Sequence, residues 1–222
     1  LNDDVLELLF TGLGETLYMV LLSTLIALIL GLPLGIILVA TEKGNILESP
    51  RINKVLGTII NVVRSFPSII LIVVLLPLAR FIVGTTLGAT AAIVPLSIGA
   101  APFIARIIEN SLKEVSFGKI EAAMAIGANP LTIITKVLIP EALPSLIRGL
   151  TIAVIGITGM TAVAGAIGAG GLGSLAIRFG YMRYRDDIML ATIITLVILV
   201  QGVQLAGDYL ATYINRKRYK FD

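Results

Sequence analysis

Residues 16–41 read TLYMVLLSTLIALILGLPLGIILVAT, an uncharged run bounded by Glu15 and Glu42. A bilayer's hydrocarbon core of about 30 Å is crossed by roughly 20 apolar residues in a helix. This run is long enough to cross with some tilt. Four more follow, at about 55–79, 86–108, 146–169 and 188–215. All five are expected to be helices, because lipid cannot satisfy the backbone groups of an open sheet edge. The second is expected as one long span containing Arg64 and Pro67. The fold class is therefore all-α, a polytopic membrane protein of five transmembrane helices.

Composition agrees and also excludes. Of the residues 57% are hydrophobic and 14% charged, against roughly 25% charged in soluble domains. Five spans leave no room for a separate soluble domain in 222 residues, so residues 1–222 are read as a single transmembrane domain. There is no Cys and no His, which removes disulfides, thiolate chemistry, zinc sites and imidazole catalysis. The net charge of +3 is small and the basic residues sit at run ends, so no nucleic-acid partner is expected. The start, Leu1-Asn2-Asp3-Asp4, is acidic and lacks the basic region of a signal peptide. The first run is accordingly expected to be kept as a span.

Lysine and arginine gather on the cytoplasmic side of a membrane protein. One side of this chain collects Lys43, Arg51, Lys54, Arg106, Lys113, Lys119, Lys136 and Arg148, then Arg216, Lys217, Arg218 and Lys220. The other holds only Arg80, Arg178, Arg183 and Arg185, beside Asp3, Asp4, Glu7, Glu15, Asp186 and Asp187. The N-terminus is expected outside and the C-terminus in the cytoplasm.

Two connections stand out. The polar stretch 110–145 is the longest, and its middle runs Glu121-Ala122-Ala123-Met124-Ala125-Ile126-Gly127-Ala128-Asn129-Pro130. Ser116 is expected to cap a short helix that stops at Gly127 in a left-handed conformation. Asn129 then caps a second helix with Pro130 in its first position. Pro140 and Pro144 are expected to end that helix and start the fourth span. In the other connection, 165–180, Gly165, Gly168, Gly170, Gly171, Gly173 and Gly180 predict irregular backbone packed against protein.

An ion-coupled carrier needs ionisable groups at membrane depth, and no run has a carboxylate deep inside it. Glu109 and Asp208 fall in last turns, expected to pair with Arg106 or the basic residues 216–218. No phosphate-cradling G-x-x-x-x-G-K-[ST] occurs, so no cofactor is expected on this chain, and uphill transport would draw on another chain's ATP. Arg64 either snorkels to the interface or lines a polar path with Ser65. Ser97, Thr158 and Thr161 are either helix-packing hydroxyls or polar points in a pathway. Met160 is either pathway lining or filler. Small residues in the third and fourth runs, such as Gly99 and Gly159, let helices approach closely.

The loop carries a family likeness. Glu121-Ala122-Ala123, then Gly127, then Ile139-Pro140, resembles the "EAA" signature of permease subunits in bacterial ABC importers of the binding-protein-dependent, type I kind. Arg64-Ser65-Phe66-Pro67, the residues from Gly99 to Arg106, Pro140-Glu141-Ala142-Leu143-Pro144 and Gly168-Ala169-Gly170-Gly171-Leu172-Gly173 extend the resemblance over nearly the whole chain, toward methionine-importer permeases. The resemblance implies a homodimer bound to two ABC ATPase subunits, which use ATP and Mg. It also implies a substrate-binding lipoprotein outside and a path for methionine along the dimer axis, in contact with membrane lipid. It places ATPase coupling on Glu121, Ala122, Ala123, Met124, Ala125, Ile126, Gly127 and Ala128. The competing readings are a stand-alone channel, an ion-coupled carrier, and an intramembrane enzyme. The absence of His and Cys leaves the enzyme little chemistry.

Overall fold

A computed structural model describes residues 3–218, with side chains to Arg216. Leu1, Asn2 and Lys220, and the side chains of Lys217 and Arg218, lie outside the described residues. The described chain is helical: α1 Asp3–Ala40, α2 Pro50–Arg64, α3 Ser68–Val83, α4 Ala89–Lys113, α5 Phe117–Ala125, α6 Pro130–Ile133, α7 Ile139–Ala166, α8 Gly171–Leu175 and α9 Asp186–Arg218. Short π-helical segments join α6 to α7 (Ile134–Leu138) and follow α8 (Ala176–Tyr181). Among these, α1, α4, the continuous stretch Pro130–Ala166 and α9 are long and apolar enough to cross a membrane.

The first helix begins well before its apolar run. Asp3 and Asp4 stand in its first turn, where negative charge meets the positive end of the helix dipole. The second run does not form one helix. Pro67 has no N–H to return to the carbonyl of Val63, and it drives Phe66 away from helical backbone. So α2 stops at Arg64, and α3 starts at Ser68 after Pro67 at φ −56°, ψ 132°. A fifth span exists only if this broken pair is counted as one.

Pro140 and Pro144 do not separate helices as expected. At Ile134–Leu138 the backbone widens to π-type bonding, and the Ile139 N–H reaches back five residues to Ile134 O. Such a bulge takes up the bond and the space that Pro140 would otherwise cost, and the helix continues to Ala166. The glycine-rich stretch is also more ordered than expected. Irregular backbone is confined to a few residues around Gly168 and Gly170, and Gly171 opens the short helix α8, all of whose residues are buried.

The chain packs as two compact units. One comprises the chain up to Ala27 with Phe66–Ala100 and Ala153–Gln204; the other comprises Leu28–Ser65, Ala101–Ile152 and the chain from Leu205 on. In the first, Met19, Ile72, Ile93, Leu96 and Ala164 form one core, and Val5, Leu9, Leu172, Leu175 and Ile188 another. In the second, Leu38, Ile60 and Ala105 form the core, with Leu34 and Leu56 packed on it.

Candidate functional site

The sequence of α5 and its ends sets the site's geometry locally. Ser116 occupies the N-cap with extended backbone, but its hydroxyl makes no capping bond, unlike the expected side-chain cap. The other end follows the sequence closely. Gly127 takes φ +81°, its N–H donates to Met124 O at 2.9 Å, and the Ala128 N–H donates to Ala123 O at 3.0 Å. These two bonds are those of a Schellman stop. Immediately after it, Asn129 Oδ1 accepts from the Thr132 N–H at 2.8 Å and Pro130 takes the first helical position. Helix α5 therefore ends in a rigid corner.

Ile120 and Ala123 are the buried residues of α5. Glu121, Ala122, Met124, Ala125 and Gly127 are exposed, and Ala128 is half-buried. Ile126 is 86% exposed at the corner and Leu131 70% just beyond it, with Phe117 half-exposed at the start of the helix. Phe117 and Ile126 lie outside the four long apolar helices, and Leu131 lies in the first turn of one of them, Pro130–Ala166.

The start of α5 is tied to the start of α7. Lys119 Nζ donates to Glu141 Oε2 at 2.6 Å, and Ser145 Oγ donates to Ser111 Oγ at 3.2 Å. These residues line a cleft of about 720 Å3 with Asn110, Glu114 and Arg148. Above it in α4, Arg106 donates to Glu109 at 2.6 Å, to Gly57 O at 3.0 Å and to Asn61 Oδ1 at 2.9 Å. Glu109, buried, also holds Lys113 at 2.9 Å, and Lys113 reaches Glu42 at 3.0 Å. A buried carboxylate with two cations is a satisfied group, so Glu109 pairs as expected. Sequence reasoning missed Gly57 and Asn61, which carry no charge pattern to announce them.

The other predicted residues fall elsewhere. Arg64 is exposed in the last turn of α2, rather than within a continuous apolar helix. The Ser65 hydroxyl donates to Asn61 O at 2.8 Å. Ser97, Thr158 and Thr161 are buried, and each hydroxyl donates within its own helix, to Ile93 O at 2.6 Å, Val154 O at 2.9 Å and Thr158 O at 2.7 Å. Met160 packs on the core around Leu96. Among the described residues no group of three acidic side chains is placed to hold a metal ion.

The model of the family described as "Binding-protein-dependent transport system inner membrane component" matches residues 31–219. The chain is 46% identical over 217 residues to a probable D-methionine transport system permease protein of Vibrio cholerae, covering 98% of this chain and 95% of that one. It is 47% identical over 205 residues to the corresponding protein of Pasteurella multocida, covering 92% and 94%. Among solved structures, an inward-facing conformation of the MetNI methionine ABC transporter superposes with a TM-score of 0.95 at 44% identity, covering 96% of this chain and 99% of that one.

Proposed function

Since the chain belongs to the inner membrane components of binding-protein-dependent transport systems, we propose that it is the permease subunit of an ATP-driven importer for methionine, coupled through α5 to a separate ATPase. The observation that carries the coupling is the corner at Gly127. It presents Ile126 to solvent on a helix end fixed by two backbone bonds, a rigid and apolar handle outside the spans. A flexible loop would absorb a partner's motion, whereas this corner transmits it.

In this reading two copies enclose the path, two ABC ATPases bind ATP and Mg, and a lipoprotein outside delivers the amino acid. This chain binds no cofactor and is not itself catalytic. The names of the relatives support methionine as cargo. The excess of Lys and Arg on the α5 side supports an outer N-terminus and a cytoplasmic C-terminus. Arg64, Ser65, Ser97, Thr158, Met160 and Thr161 are the proposed path or gate residues. The self-satisfied hydroxyls of Ser97, Thr158 and Thr161 make Arg64 the strongest of them.

The test is to reconstitute Gly127→Val and Ala123→Trp with ATPase and binding protein and to measure methionine uptake per ATP hydrolysed. Gly127→Val strains the corner by about 1–3 kcal/mol, comparable with a typical coupling energy between sites. Ala123→Trp overfills the seat of α5. Both are expected to insert normally while uptake per ATP falls several-fold. Wild-type docking and stoichiometry in both variants would remove α5 as the coupling element.

A further inference from the structure

Within the second unit, α1 and α2 leave an open groove of about 440 Å3 between them. Leu34 and Ile37 of α1 form one wall, and Ile52, Val55, Leu56 and Ile59 of α2 the other; Arg51 is the one polar residue of the lining. Val55 is 60% exposed, and none of the described residues fills the slot. We propose that the groove binds an anionic phospholipid, one acyl chain lying along the aliphatic walls and the phosphate held by Arg51 and Lys54.

Charge selects this occupant. Arg51 and Lys54 are three residues apart, on one face of α2, and the first turn of that helix contains no acid. Among the described residues neither has an ion-pair partner. In the same unit Arg106, Lys113 and Lys119 each have a carboxylate within 3.0 Å. Glu48, the acid nearest in sequence, makes no ion pair with either. An uncompensated cation lining an aliphatic slot, with a second one three residues on along α2, matches a molecule with an anionic end and a hydrocarbon end. A basic amphipathic helix at a membrane surface attracts anionic lipid for the same reason.

The first unit contains a control. Leu6, Leu9, Phe10, Leu13, Leu190, Ala191 and Ile194 line a second apolar groove. Its edge carries Asp187, already bonded by Arg185 at 2.9 and 2.7 Å, and no lysine or arginine lines it. This groove accepts acyl chains without preferring an anionic head.

The proposal rests on the membrane-spanning reading alone and holds whether or not α5 couples to an ATPase. The chain contains no tryptophan, so a single indole reports contact. Ile59→Trp and, in the control groove, Ile194→Trp are made in the full chain. Each is reconstituted into phosphatidylcholine vesicles containing a matched series of increasing fractions of dibrominated phosphatidylglycerol or dibrominated phosphatidylcholine. Each basic residue near a surface favours anionic lipid by about fivefold. With two such residues the indole at position 59 is therefore expected to be quenched at about 25-fold lower mole fraction by the brominated phosphatidylglycerol, and the indole at 194 equally by both. Arg51→Gln with Lys54→Gln is expected to abolish the preference, Arg51→Lys to keep it, and high salt to weaken it without any substitution. Equal quenching at position 59, or a preference surviving the double glutamine variant and high salt, overturns the proposal. So does an indole at 59 that neither lipid quenches, because the groove is then covered by protein, such as a second copy of the chain.

Discussion

Gly127 and Gly171 both hold left-handed backbone, at φ +81° and +74°, and both stand at the end of a short helix. The space around them differs. A Cβ built on Gly127 meets nothing within 4 Å, whereas one on Gly171 comes 2.7 Å from Thr16 Oγ1 and 2.9 Å from Met19 Cε. The first N–H groups of α8 are also spoken for, because Gly171 donates to Glu15 Oε2 and Leu172 to Thr16 Oγ1. The end of α5 is thus set by its own backbone and stays open around Gly127 and Ile126. The start of α8 is set by atoms of α1 and leaves no surface at all. One corner is a handle and the other is a lock.

Substitutions test that contrast, and the largest effect belongs to the lock. Gly171→Ala combines left-handed strain with overpacking against Thr16 and Met19. It is expected to cost about 2–5 kcal/mol, read as a lowered midpoint of thermal unfolding in detergent. A midpoint equal to wild type would mean that α1 yields easily and that α8 is not locked. Glu15→Ala leaves the Gly171 N–H without its carboxylate, expected to cost about 1–3 kcal/mol. Amide hydrogen exchange should rise in α8 before the rest of the first unit, and unchanged exchange there would show that the cap is dispensable. The smallest effect belongs to the handle. Gly127→Ala is expected to cost about 1–2 kcal/mol, from the backbone conformation alone, with no packing loss. If it destabilises the chain as much as Gly171→Ala, the distinction between the two corners fails.

The handle was legible in the sequence nearly residue by residue. Gly127, Asn129 and Pro130 act on groups within five positions of themselves, so their spacing predicts the stop and the restart that the structure contains. The pairing of Glu109 with Arg106 was legible for the same reason, being one helical turn long. The lock was not legible. Its partners lie 156 residues apart, and a run of glycines read without them points to irregular backbone. The hydroxyls of Ser97, Thr158 and Thr161 stood as packing groups or pathway groups on sequence alone, and their bonds to Ile93, Val154 and Thr158 carbonyls required coordinates.

Uncharged runs of span length and the glycine and proline signals of the loop determined by themselves an all-α membrane protein with a capped corner in its polar connection. They could do so because transfer into lipid is summed along a segment and capping acts between near neighbours. Only tertiary structure decided that the second run breaks at residues 65–67, that the helix continues through Pro140 on a π-bulge, and that Gly171 opens a buried helix. For Gly171 the choice turns on what surrounds the residue in space; for the two prolines the local rule allows a break or a bulge, and the structure shows which occurs. A glycine can loosen a chain or let two backbones meet, and at Gly171 the neighbours that choose, Glu15 and Thr16, lie elsewhere in the chain.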